Sequence, residues 1–170
     1  PEVKKYQKIF NYFKDCLKKT GNLRKEELFL SELGGERLQN EVYFLLSLGE
    51  DFERFGETKD FYSLWTIDQK SWNLAQKIIN SVYEKFKKVG KPLKLEELSR
   101  LNSLTPEILT SYLEISKKIQ RNAEKFWGLK DWPEINPKRI KDKAYLVFKK
   151  EQKPLHFVQV ANLIGLALPQ

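Results

Sequence analysis

With 170 residues, 41% of them apolar and 13% aromatic, the chain can bury the cores of one ordinary domain or of a few small ones. Lys and Arg outnumber Asp and Glu by 31 to 23, a net charge of +8 that favours acidic partners such as nucleic acid without naming one. No run approaches the roughly 18 apolar residues of a membrane span and none has the form of a secretory leader, so no membrane partner and a cytoplasmic location are expected.

Cys16 is the one cysteine and has no partner for an internal disulfide; beside Phe13 and Leu17 in a helical pattern it reads as a core thiol. Methionine is absent even at position 1, which points to an excised or methionine-replaced fragment. Residues 4–19 set Tyr6, Ile9, Phe10, Phe13 and Leu17 on one helical face with lysines around the other, predicting an amphipathic first helix. Residues 23–35 predict a second helix stopped by Gly34 and Gly35, and residues 37–48 a third stopped by Gly49. The hydrophobic period then drops from about 3.6 to 2. In DFERFGETKDFYSLWTI (51–67) aromatic and polar residues alternate on either side of GETKD, predicting a hairpin. Three helices and a hairpin are the order of a winged helix, and residues 1–68 form a first such domain.

The order then starts again. Residues 71–91 predict a first helix with Trp72, Ala75, Ile78, Ile79, Val82 and Phe86 facing inward and Gly90 at its end. Residues 92–101 predict a second helix, and LKLEEL at 93–98 echoes LRKEEL at 23–28. Thr105 caps a third helix, with Pro106 at its first position and Glu107 in its first turn. Residues 117–129 predict a second hairpin turning around Arg121, Asn122 and Ala123. Trp127 then takes the place of Trp65, each ring packed on a core. Trp132, Pro133 and Pro137 mark the end of the second domain, 71–135, with Pro137 placed to begin the next helix. Residues 137–153 repeat the first helix, and 154–166 the second. The segment 137–170 thus reads as the opening helices of an incomplete third unit, whose apolar side needs a neighbour or a second molecule, a route to self-association. The expected fold class is mainly α with small β-hairpins, as tandem winged helix-turn-helix domains.

Lys91, Pro92, Leu93, Glu97 and Leu98, the Tyr112-bearing third helix, and the closing run Phe126-Trp127-Gly128-Leu129-Lys130-Asp131-Trp132-Pro133 together resemble the winged-helix domain of the bacterial RNA polymerase delta subunit, the HARE-type helix-turn-helix. The likeness covers residues 71–135, and Lys153 to Phe157 is similar to the start of another such domain. The run from Trp132 through Lys150 into Lys153–Phe157 further resembles tandem arrays of this domain attached to sigma-factor-like proteins. The resemblance implies a role in transcription, through RNA polymerase association, DNA binding or both.

Charge is unevenly spread. Lys+Arg against Asp+Glu is 12 against 13 for residues 1–70, 12 against 8 for 71–137 and 7 against 2 for 138–170, so the whole excess lies in the last hundred residues. Lys117, Lys118, Arg121 and Lys125 decorate the second hairpin, and Lys91 and Lys94 precede and enter its second helix; together they form a candidate phosphate-contacting edge. Lys138 and Arg139 extend it into the third unit. For all of these the competing reading is a solvated lysine-rich face. Base reading is not expected of the second domain, because its third helix has no cation before Lys117, while Glu107 and Glu114 repel phosphate. Arg37, Gln39 and Asn40 open the third helix of the first domain, where a solvated flank competes with adenine contacts.

Catalytic chemistry finds no set of groups. His156 is the only histidine and reads as a helix-start or core residue. The pairs Glu26, Glu27 and Glu96, Glu97 diverge by about 100° on a helix and suit its first turn. The GGE run at 34–36 lacks the Gly-Lys-Ser/Thr element of a phosphate loop, and Cys/His metal spacing is absent. The expectation is a noncatalytic module without metal or cofactor, with DNA and RNA polymerase as partners. Its rivals are a scaffold docking on RNA polymerase without DNA contact, and the accessory domain of a DNA-processing enzyme.

Overall fold

A computed structural model describes residues 2–35 and 37–165, with side chains from Tyr6 onward. Residues 166–170 of the expected third unit, and Glu36 of the GGE run, lie outside the described residues. Helix α1 (Glu2–Lys19) buries Phe13 and Leu17 and ends on Lys18 and Lys19, where the partial negative charge of the helix end favours cations. A tight turn through Gly21 (φ 78°) and Asn22 (φ 67°) leads to strand β1 (Leu23–Lys25). Then come α2 (Glu26–Gly34), α3 (Gln39–Leu48), β2 (Glu53–Phe55) and β3 (Leu64–Thr66). The sheet order is β1-β3-β2, all antiparallel, with Trp65 opposite Arg24 on one side and Arg54 on the other.

The second unit follows the same plan. Asp68 caps α4 (Gln69–Val89), its carboxylate accepting from the Lys70 N–H and the Ser71 hydroxyl, and Gly90 ends the helix in the left-handed region. Strand β4 (Leu93–Lys94), α5 (Leu95–Asn102), α6 (Pro106–Ile115), β5 (Ile119–Arg121) and β6 (Phe126–Leu129) complete it, in sheet order β4-β6-β5. Thr105 caps α6 by accepting from the Ile108 N–H. Beyond it stand α7 (Ile140–Glu151) and α8 (Phe157–Leu163). The described chain is therefore mainly helical with two small antiparallel sheets, and its first six elements recur in order.

Packing explains why all three residues of β3 are buried. Successive side chains of a strand point to opposite faces. Trp65 packs with Phe13, Leu17, Phe29, Val42 and Leu46, the core of the first unit. Leu64, with Leu23 of β1, turns the other way onto Trp72 and Ala75 of α4 and Tyr112 and Ile115 of α6. The first sheet is sandwiched between its own helices and those of the second unit. Trp127, by contrast, packs with Phe86, Leu93, Leu98 and Leu113 in the core of the second unit.

Polar bonds fasten the same junction. The Ser111 hydroxyl donates to Leu23 O at 2.8 Å, and the Tyr112 hydroxyl to Gly21 O at 3.2 Å. Arg24 reaches from β1 to Glu114 of α6 at 2.7 Å and also pairs with Glu32. The connection between β2 and β3 lies along the second unit: the Tyr62 N–H donates to Ile115 O, and the Lys117 N–H to Asp60 O, each at 2.9 Å.

Several expectations change. Residues 23–25 and 93–94 are strands rather than helix starts, because each pairs with the returning strand of its hairpin; the helices begin at Glu26 and Leu95, with their acids in the first turn. Trp72 and Ala75 face the first unit, not their own core. Arg121 is still strand, and the turn of the second hairpin runs through Asn122 to Lys125, held by Asn122 Oδ1 accepting from the Phe126 N–H. Pro137 does not begin α7. That helix starts at Ile140, where Asp142 Oδ2 accepts from the Arg139 N–H at 3.0 Å.

Candidate nucleic-acid interface

Five of the eight predicted cations fall into two groups. Lys117 and Lys118 immediately follow α6 and turn toward the first unit. Lys117 pairs with Glu57 and donates to Thr58 O at 2.7 Å, while Lys118 pairs with Asp60 at 2.8 Å. The Lys117 ammonium, hydrogen-bonded to Glu57, holds that carboxyl below its ordinary range. Lys25 and Lys117 also stand over the Tyr62 ring at 4.1 and 5.4 Å. These two predicted contacts thus serve to hold the connection between β2 and β3.

Lys94, Arg121 and Lys125 are exposed and surround one shallow cleft of about 280 Å³, between the start of α5 and the β5–β6 turn. Lys94 lies over the Phe126 ring at 5.7 Å and Arg121 over Trp127 at 5.8 Å, so both stems are guided by aromatic rings. Lys125 occupies the left-handed turn position (φ 66°), which projects it from the hairpin tip. Glu96 and Glu124 share the rim. None of the three cations enters an ion pair among the described residues.

Arg121 also lines a second cleft, of about 520 Å³, at the junction of the two units. Lys25, Lys117 and Lys130 join it there, with Glu114 opposite. Lys25 and Lys130 were not found from the sequence: Lys25 sits in the acid-rich LRKEEL run and Lys130 beside Asp131, so neither forms part of a local basic cluster. Lys91 is exposed beyond Gly90. Lys138 lies 3.7 Å from Asp131, and Arg139 is exposed at the start of α7. Neither lines the clefts around Arg121.

The third helices are differently employed. In α6, Ser111, Tyr112, Leu113 and Ile115 are all buried, and Glu114 is held by Arg24. In α3, Tyr43, Phe44 and Leu48 are exposed, an apolar rather than a basic surface. His156 caps α8, its Nδ1 accepting from the Val158 N–H at 3.4 Å. Among the described residues no group of three or more His, Cys, Asp and Glu side chains is placed to hold a metal ion, and no helix is long and apolar enough to cross a membrane.

No family model matches the chain, and no solved structure matches it. It is 37% identical over 103 residues to a glutamate–tRNA ligase of Chlorobium chlorochromatii (strain CaD3), a match that covers 57% of this chain and 20% of that enzyme. The chain spans about a fifth of the length of this curated relative.

Proposed function

We propose that the chain is a noncatalytic, transcription-associated module of two winged helix-turn-helix units that contacts DNA phosphates without reading sequence. One observation carries this reading. The helix that would enter the major groove from the second unit, α6, is buried against the first unit, whereas Lys94, Arg121 and Lys125 stand exposed around the hairpin of the same unit and, among the described residues, without an acidic partner. A helix-turn-helix protein takes base contacts from the exposed face of its recognition helix. With that face spent on packing, phosphate attraction by the hairpin remains. The link to RNA polymerase rests on the resemblance of residues 71–135 to the delta-subunit domain. The partial likeness to a tRNA ligase extends over too little of that enzyme to bring its activity here.

Binding of a random-sequence duplex at several salt concentrations tests the reading. Replacing Lys94, Arg121 and Lys125 with Gln should weaken binding uniformly across sequences and reduce the slope of log K against log salt by about 0.9 for each phosphate that is no longer neutralised. Unchanged binding and slope would remove the hairpin as the site. A docking scaffold on RNA polymerase is the second reading, favoured by the exposed apolar side of α1 and α3. Retention on core polymerase with no duplex binding would select it.

A further inference from the structure

The two units use one surface in two different ways. In α3, Val42 and Leu46 hold the core places that Leu109 and Leu113 hold in α6. The α6 positions turned to the first unit, Ser111, Tyr112 and Ile115, therefore correspond to Phe44, Leu45 and Leu48. In α1, Phe13 and Leu17 hold the places of Val82 and Phe86 in α4. Gln7, Phe10 and Asn11 then correspond to Gln76, Ile79 and Asn80.

In the second unit this α4–α6 groove is occupied. The segment Asp60–Tyr62 runs along it as an extended chain, bonded to the backbone of Ile115 and Lys117, and Phe61 presents its ring edge-on to Trp72 at 5.1 Å. Gln76, Ile79 and Asn80 border the same place. In the first unit the corresponding groove, between α1 and α3, is open among the described residues. It measures about 620 Å³ and is lined by Tyr6, Gln7, Phe10, Asn11, Phe44 and Leu48 among others. The Glu50 N–H, which corresponds to the donor at Lys117, has no partner among the described residues.

The rim charges are reversed. After α6 come Lys117 and Lys118, which take the acids Glu57 and Asp60 of the docked segment. After α3 the same places hold Glu50 and Asp51, of which Asp51 is paired with Lys14 on the groove's α1 side. We infer that the α1–α3 groove is a docking site for an extended aromatic segment with basic flanks, presented by another protein. The aromatic ring enters between Phe10 and Phe44, the segment's backbone accepts from the Glu50 N–H, and its cations meet Glu50 and compete with Lys14 for Asp51. This surface is separate from the basic hairpin and does not depend on the DNA-binding reading.

The probe is a synthetic peptide of residues 56–63 carrying Glu57→Lys and Asp60→Lys, titrated into the full chain and followed by amide chemical shifts. Saturable changes confined to residues 6–14 and 44–51 are expected. They should be lost with Phe61→Ala in the peptide, and with Phe44→Ser in the protein, which installs the residue found at the equivalent position of α6. Phe44 is 62% exposed, so that variant retains its core. The unmodified acidic peptide should bind about threefold more weakly, the equivalent of one surface ion pair, since Asp51 is already paired with Lys14. Three results would each overturn the inference: no saturable shifts, shifts indifferent to Phe44→Ser, or equal binding of the acidic peptide. Concentration-dependent dimerisation of the chain abolished by Phe44→Ser would also overturn it, by giving the groove to a second copy.

Discussion

Arg24 joins the two units through a single guanidinium. It bonds Glu114, ninety positions away in sequence, and Glu32 on its own unit, with its side chain only 14% exposed. Removing it leaves Glu114 half-buried and unpaired. Arg24→Ala should cost about 1.5–3 kcal/mol, and a double-mutant cycle with Glu114→Ala, read by urea melts, should recover most of that as coupling. Independent, additive losses would show that the pair contributes nothing. Trp127 is a different case. It is 2% exposed within the second core, and Trp127→Ala should cost about 3–5 kcal/mol; an unchanged melting curve would contradict that burial. The tryptophan was legible because the repeat gave it the place that Trp65 holds in the first unit. Arg24 was not, because a charge on a short amphipathic stretch carries no mark of a distant partner.

At the scale of elements, the long helices were legible and the short strands were not. A strand of two or three residues is too brief to display a period, and both β1 and β4 run straight into a helix whose pattern absorbs them. The echo of LRKEEL in LKLEEL misleads by one position. Leu93 pairs with Trp127 and faces the core of its own unit, whereas Leu23 pairs with Thr66 and faces the other unit. A slip of one residue reverses the face, and the sheet that must pack on both sides uses that slip. Helix α4 depends on its cap. The Ser71 hydroxyl and the Lys70 N–H donate to the Asp68 carboxylate and hold its pKa below the ordinary value. A carboxyl depressed in the folded state contributes stability that is present above its unfolded pKa and lost as pH falls through the folded one. Melting temperature should therefore fall in acid more steeply for the native chain than for Asp68→Asn, which has no such proton to bind. Parallel acid profiles would exclude the cap as a source of pH dependence.

Across the whole molecule, the packed junction should make the first two units unfold together. Gly21 shows how tightly they meet: its φ is 78°, and an added Cβ would lie 2.7 Å from Ile108 Cγ2 and 2.9 Å from Tyr112 Cε1 of the other unit. Gly21→Ala should cost about 1–2 kcal/mol from the backbone alone, with overpacking added. For a chain of this size that lowers the melting temperature by roughly 2–4 °C per kcal/mol. Near-ultraviolet circular dichroism and far-ultraviolet signals should still fall together. Two separated transitions would mean that the units unfold independently. Helices α7 and α8 are held by little burial. Helix α7 buries no side chain and is tied back by Lys149 to Glu134 at 2.8 Å, while α8 buries Val160 and Ala161 alone. The recurrence of the helices was legible in the sequence, but not the inter-unit packing, because tandem order gives no distance between neighbours.

The doubly buried first sheet bears on synthesis. The last strand of the first unit ends at Thr66, yet one face of that sheet waits for α4 and α6, which end at Val89 and Ile115. At roughly 5–20 residues per second the ribosome needs several seconds to deliver them. Throughout that interval the nascent chain carries Leu23 and Leu64 uncovered, the place where a chaperone would engage it and where a pause in translation would be most costly.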